Sequence, residues 1–218
     1  MRRSLVIIIA VFALAAPLLA QPAPNPNWAK LEEGNENFIA AGKGGMLQTN
    51  VTNRMPGGQK PEVTVLACAD SRVAPELVFN QTIGSLFVVR TAGNVAGPFD
   101  IASIEYAIAA PRNWTRLIVV MGHSNCGAVG AALSGGPGGS PPLDALLARI
   151  RESFVGIGPW ISADLKKATE ANARYSAAYL VAHSQIIRDA VTRKDNPIVI
   201  IPAYYDLASG EVQRVGDY

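Results

Sequence analysis

Four short runs along the chain are rich in Val, Ile and Leu: residues 62–67, 85–90, 116–121 and 198–201. Their apolar residues follow one another instead of alternating with polar ones, which is how strands covered on both faces read. Elsewhere the apolar spacing becomes helical. Trp28, Leu31, Asn35, Phe38 and Ile39 recur at that spacing over residues 28–41, and Gly42 ends the run. A short helix is predicted over 75–81. A longer one over 100–109 carries Ile101, Ile104, Tyr106, Ala107 and Ile108. Further helices follow at 128–133 and 143–154, across a Gly/Pro-rich loop at 135–142, and then a long helical stretch at 161–193. Residues 211–215 read as a last edge strand after the Ser209–Gly210 turn, and 55–60, with Gly57 and Gly58, as a loop. Strand–helix–strand alternation predicts a single α/β domain with a mostly parallel central sheet flanked by helices, right-handed crossovers and an N-terminal helical arm. A strand order of 2-1-3-4, with strand 5 at the edge, puts the first and third strands side by side.

The N-terminus adds a targeting signal to this picture. Arg2 and Arg3 precede an apolar stretch over residues 5–16 and then small residues, the pattern of a secretory signal cleaved after Ala20. The stretch is short for a membrane span, which needs about 20 residues. Residues 1–20 are therefore expected to be removed on export to the periplasm or the medium. Residues 21–218 remain as one domain, opening with a Pro/Asn-rich arm at 21–27. Cleavage takes two arginines from the 19 basic residues and leaves 17 against 17 acidic ones, so the formal charge falls from +2 to near zero. No basic cluster interleaved with aromatics points to nucleic acid, and no later apolar segment is long enough to span a membrane.

The chemistry gathers around the only two cysteines. Cys68 opens Cys68-Ala-Asp70-Ser-Arg72 after the first predicted strand. Cys126 closes His123-Ser-Asn-Cys126 after the third. Active groups of open parallel sheets collect at the carboxyl ends of strands. His-x-x-Cys puts two ligands a turn apart, and two thiolates with one imidazole suit a single zinc ion with a fourth position open. Asp70 could occupy or guard that position, and Arg72 could hold Asp70 in a bidentate ion pair. Two other readings stand beside this one. An oxidising compartment favours a Cys68–Cys126 disulfide in a non-catalytic binding domain, although that leaves His123, Asp70 and Arg72 without a purpose. Gly122-His-Ser124-Asn-Cys126 comes within one residue of a Gly-x-Ser-x-Gly nucleophile elbow, with Asp164 and His183 following in triad order. Here Cys126 stands where that turn wants glycine.

From about residue 28 to 212 the chain resembles the β-class carbonic anhydrases. The likeness is carried by Cys68-Ala-Asp-Ser-Arg72-Val and Gly122-His-Ser-Asn-Cys126-Gly127. It is supported by Gly34-Asn-Glu-Asn-Phe38, Phe87-Val-Val-Arg-Thr-Ala-Gly-Asn94, Ser103-Ile-Glu-Tyr-Ala107 and Tyr204-Tyr-Asp-Leu-Ala-Ser-Gly-Glu-Val212. The resemblance implies reversible hydration of carbon dioxide to bicarbonate and a proton. It implies one zinc per chain on Cys68, His123 and Cys126, with Asp70 and Arg72 as a catalytic dyad and Asp70 on the metal only in a closed state. It assigns substrate contacts to Gln59, Phe87 and Gly127. It also implies a homodimer or larger homo-oligomer in which Gln59 and Phe87 serve the neighbouring subunit's zinc. Some relatives hydrolyse carbonyl sulfide or carbon disulfide with the same ligands, so the ligands alone leave that alternative open.

The chain departs from the family pattern at Ser85, where Asp is common, at Pro202, where Gly is usual, and at Val65, where one subgroup uses Trp in an inhibitory bicarbonate site. Two thiolates cancel the ion's formal charge, so the water it activates should ionise above pH 7, and activity should rise towards alkaline pH. His183, the only histidine besides His123, reads as a surface or capping residue, which leaves proton export to buffer or water. Trp28, Trp114 and Trp160 read as packing residues, Tyr204 and Tyr205 as core or interface, and the charges of 164–174 as a solvated helix face.

Overall fold

The computed structural model describes residues 25–42, 58–109, 112–158, 161 and 163–216. The expected signal at 1–20 and Trp160 lie outside these. In chain order the elements are α1 (Pro26–Ala40), β1 (Val63–Cys68), α2 (Pro75–Val78), β2 (Leu86–Thr91), a tight turn at Ala92–Asn94, α3 (Pro98–Ile108), β3 (Leu117–His123), α4 (Gly127–Ser134), α5 (Pro141–Glu152), α6 (Leu165–His183), α7 (Gln185–Thr192), β4 (Val199–Tyr205) and β5 (Val212–Arg214).

The sheet order is β2-β1-β3-β4-β5. The order and the parallel run of the first four strands are as the sequence predicts, and β5 at the edge is antiparallel to β4. Every residue of β1 and β3 is buried, which explains their unbroken apolar runs. On one face Val65, Val119 and Ile201 pack with Trp28, Leu31 and Phe38 of α1. On the other, Leu66, Val120 and Ile200 pack with Ile104 of α3, Leu180 of α6 and Ile187 of α7. A third cluster lies at the carboxyl edge of the sheet, where Val129 of α4 and Leu147 and Ile150 of α5 surround Cys68 and Cys126.

Several boundaries differ from the prediction, each for a local reason. The arm predicted at 21–27 is already helical from Pro26. Asn25 caps α1 by accepting from the backbone N–H groups of Asn27 and Trp28 at 2.9 and 3.3 Å, and Pro26 suits the first turn. The predicted helical stretch 161–193 breaks at Ser184. There the backbone is extended, and the side chain caps α7 by accepting from Ile187 N at 3.0 Å while donating to Glu105 Oε1 at 2.6 Å. Strand β4 runs through Pro202 to Tyr205, beyond the predicted end at 201. Pro202 is tolerated because its carbonyl accepts from Val215 N at 2.9 Å, so its nitrogen faces the β5 side. The β5 ladder ends there at Arg214, and no bond to β3 is lost. Cys68 and His123 are the last residues of their strands, not the first residues beyond them.

One polar side chain ties three elements together. Asn35 of α1 is buried, yet it donates to Val78 O at 2.9 Å and Gly210 O at 2.8 Å and accepts from Val212 N at 2.9 Å. It therefore fastens the N-terminal helix to the end of α2 and to the start of β5. Asn35→Ala leaves two carbonyls and one N–H without a partner. It should lower stability by about 3 kcal/mol, read as a lower urea midpoint with an unchanged m-value.

Candidate metal centre

The parallel pairing of β1 with β3, with Ala67 opposite Met121, delivers the ends of both strands to the same edge of the sheet. Beyond His123 the chain turns back sharply. Ser124 N donates to Tyr205 O at 2.8 Å, Ser124 Oγ accepts from Leu207 N at 2.8 Å, and Asn125 takes a left-handed conformation with φ of 55°. This turn brings Cys126, the residue before α4, over the strand ends. The ligand atoms of Cys68, His123 and Cys126 all lie within 4.8 Å of one another, and all three residues are buried.

The imidazole shows what this triangle suits. His123 Nδ1 is 2.9 Å from Ser124 O. A carbonyl only accepts, so Nδ1 carries the proton and Nε2 presents a bare lone pair. That Nε2 is buried and has no hydrogen-bond partner among the described residues. A bare imidazole nitrogen beside two thiol sulfurs is the soft donor set of a tetrahedral zinc site with one place left for a water or substrate. The residues therefore fit the metal that the sequence implied.

Neither cysteine is in a disulfide, and the two sulfurs titrate as a pair. The Cys126 thiol donates to Cys68 Sγ and brings the Cys68 pKa down to about 4, against the opposing effect of burial; the backbone N–H of Gly93, 3.3 Å from the sulfur, also lowers it. Cys126 is pushed up in turn, first by its bond to Cys68 and then by burial. One sulfur of the pair is therefore a thiolate before any metal arrives.

Asp70 stands at the mouth of the triangle, with Oδ2 3.9 Å from His123 Nε2. Arg72 grips it with Nε on Oδ1 at 2.9 Å, Nη2 on Oδ2 at 2.7 Å and its backbone N–H on Oδ1 at 3.0 Å. This grip, chiefly the side-chain bonds, holds the carboxyl well below the usual carboxylate range. Arg90, near the end of β2, holds the backbone of the same segment, with Nε on Cys68 O at 3.1 Å and Nη2 on Asp70 O at 2.6 Å. Sequence reasoning gave Arg90 no role, because nothing in an edge-strand arginine says that it turns back onto a neighbouring loop.

Gly127 adjoins the triangle as the exposed first residue of α4, with open space where a Cβ would stand. Phe87 and Gln59 do not join the site of their own chain. Phe87 pairs with Thr64, whereas Cys68 pairs with Thr91. Four residues of strand put Phe87 about 13 Å away, where it stacks near Tyr106 of α3 at 6.3 Å. Gln59 is exposed and lies before the start of β1, at the far end of that strand from Cys68.

The hydrolase triad does not assemble. The Ser124 hydroxyl is engaged by Leu207 N, and Asp164 caps α6 through Lys167 N at 3.0 Å. His183 ends the same helix, about 28 Å from that cap, with its ring stacked 3.5 Å from Tyr179.

The family model for carbonic anhydrase matches residues 63–212. Carbonic anhydrase 2 of Mycobacterium tuberculosis is 47% identical over 117 residues, covering 51% of this chain and 55% of the relative, so the match spans about half of that protein's length. A carbonic anhydrase of Mycolicibacterium smegmatis is 34% identical over 205 residues, covering 87% of this chain and 94% of the relative. Among solved structures, one of two tetrameric β-carbonic anhydrases from Sordaria macrospora is similar with a TM-score of 0.68 at 26% identity, covering 83% of this chain and 93% of that one. With its fold, its Cys-His-Cys triangle and these relatives in agreement, the chain belongs to the carbonic anhydrase family, in the β class.

Proposed function

We propose that the protein is a zinc enzyme that interconverts carbon dioxide with bicarbonate and a proton. The observation that carries this reading is the bare, buried Nε2 of His123 beside the Cys68 and Cys126 sulfurs, with a restrained carboxylate at the opening. Cys68, His123 and Cys126 would hold the ion. Bound there, zinc supplies Lewis acidity that turns water into a nucleophile near neutral pH.

The remaining chemistry belongs to the chain's own residues. Asp70, kept ionised by Arg72, can only accept hydrogen bonds at the mouth. Its Oδ2 would take the O–H of the attacking oxygen and so turn a lone pair of that oxygen towards carbon dioxide. Gly127 leaves the wall beside Cys126 open for substrate. Without Arg72, Asp70 could swing into the fourth metal position and close the site.

Two contacts are assigned to a neighbouring subunit: Phe87 as an apolar wall and Gln59 as a donor to the developing bicarbonate. Their distance from their own triangle supports a homodimer or larger assembly, as does the tetrameric Sordaria relative. The basic–apolar–small pattern of residues 1–20 supports export and leaves residues 21–218 as the catalytic domain.

Stopped-flow assays at pH 8.5 should show carbon dioxide hydration, with one zinc per chain by metal analysis. Activity that falls on carbon dioxide but appears as sulfide release from carbonyl sulfide would redirect the substrate assignment. Arg72→Ala should lower kcat by about tenfold or more, since an unrestrained Asp70 no longer orients the nucleophile; a variant with full activity contradicts the role given to the pair. Metal binding should also report the shared thiol proton. At pH 8 Cys68 is already a thiolate and Cys126 is not, so zinc addition to metal-free protein should release about one thiol proton per chain. Below about pH 4 Cys68 takes up its proton and the number rises towards two. Ultraviolet thiolate absorbance, followed before and after zinc addition, counts the thiol protons apart from any released by metal-bound water, and metal-free protein with no thiolate at pH 8 contradicts the thiolate–thiol pair.

A further inference from the structure

The sulfur of Cys68 is also held from α6, an element with no part in the ligand motifs. The turn Ala92–Asn94 crosses the carboxyl end of β1, and the backbone N–H of Gly93 donates to Cys68 Sγ at 3.3 Å. Two consecutive residues of this turn are left-handed, Gly93 with φ of 68° and Asn94 with φ of 46°. Such backbone persists only where its surroundings hold it. A Cβ on Gly93 would lie 2.8 Å from Ile150 Cδ1 and 3.3 Å from Ala128 Cβ, so α5 and α4 press on the turn from one side. The polar hold comes from Asn172, 1% exposed in the middle of α6. Its Nδ2 donates to Gly93 O at 2.7 Å and sits 3.5 Å from Asn94 Oδ1. The carbonyl and the N–H of Gly93 flank one α-carbon. With φ and ψ set, anchoring the carbonyl aims the N–H.

We infer that Asn172 is a positioning residue of the metal centre: by anchoring Gly93 O it directs the Gly93 N–H onto the Cys68 sulfur and tunes that sulfur as a ligand. The inference rests on the zinc reading above. An N–H donated to a thiolate withdraws charge from it and fixes its lone pairs. Without that bond the sulfur is more electron-rich and less well placed. Groups that orient metal ligands typically change metal affinity by about 10–100-fold when removed. The side chain at 172 must donate, because both groups it faces are acceptors. Leucine would leave Gly93 O unpaired, and an ionised aspartate would oppose it.

The test uses cobalt(II) in place of zinc, because thiolate-to-cobalt charge-transfer bands report sulfur donor strength apart from turnover. In Asn172→Leu and in the isosteric Asn172→Asp these bands should move to longer wavelength, and zinc should be held about tenfold more weakly against a competing chelator than in the wild type. Ser176→Ala, one turn along the same buried face of α6, should leave both unchanged. Wild-type protein that takes up no cobalt, or shows no thiolate bands, would sink the zinc reading itself. Wild-type bands with either folded variant matching the wild type in band position and zinc affinity would overturn the role of Asn172 alone. Cadmium-loaded wild type gives a reading that needs no variant to fold. Scalar coupling between the Gly93 amide proton and the cadmium nucleus is expected, and its absence overturns the hydrogen bond on which the inference depends.

Discussion

Everything at the site depends on two parallel strands ending side by side. β1 stops at Cys68 and β3 at His123, and their pairing brings these ends together before any loop contributes. A one-residue slip of β3 would turn every side chain of the strand to the opposite face and carry His123 away from Cys68. Because both faces of β3 are buried, a simple inside–outside alternation cannot choose the register. Shape chooses it instead. A Cβ on Gly122 would lie 2.6 Å from Thr169 Cγ2 and 3.3 Å from Thr169 O, so α6 lies directly against the backbone of β3 at the residue before the ligand. A bulkier residue there would push the helix away. The same close approach brings Asn172, one turn further along α6, to the Ala92–Asn94 turn.

Around that fixed edge the structure divides the loop Cys68–Arg72 between two guanidinium groups with different tasks. Arg90 binds backbone carbonyls of Cys68 and Asp70 and so sets the path of the chain. Arg72 binds the carboxylate of Asp70 and so sets a side chain. Arg72 is 55% exposed, so water can replace its bonds at little cost. Releasing Asp70 therefore requires only a side-chain rotation, with the Cys68 backbone still held by Arg90. An open and a closed site can then differ at one carboxylate without disturbing the two sulfurs and the imidazole.

The sequence was most legible where one residue type serves one purpose. Continuous aliphatic runs announced β1 and β3, and the order of strands and helices announced the sheet. The two short motifs led to Cys68, His123 and Cys126 in one triangle and to the Asp70–Arg72 pair because each motif begins at a strand end. Asn25-Pro26 was a helix-start signal in plain view, overshadowed by the prolines before it. The break at Ser184 was hidden because helical periodicity continues on both sides of it, and Pro202 argued against a strand whose geometry makes it harmless. Arg90 and Asn172 could not be read at all. Their partners lie 20 and 79 positions away, and only the folded chain brings them together.

Phe87 and Gln59 were legible in a different sense: resemblance named them, and the register of β2 on β1 sets Phe87 four residues from the partner of Cys68, while Gln59 lies before the start of β1. Asp70 stands at the mouth with Arg72 on its carboxylate, and Gly127 adjoins Cys126, so these residues are polar or bare. A linear apolar gas gains nothing from such a rim unless an apolar surface faces it. Among the described residues, strand β2, which carries Phe87, lies at the edge of the sheet with one side unpaired. Edge strands that are left uncovered invite pairing with another chain. A second subunit covering this edge would bury an exposed strand and supply the missing apolar wall in one step. In the assembly proposed above, one contact between subunits would complete both the sheet edge and the pocket, and a lone chain would keep its three ligands beside an incomplete pocket.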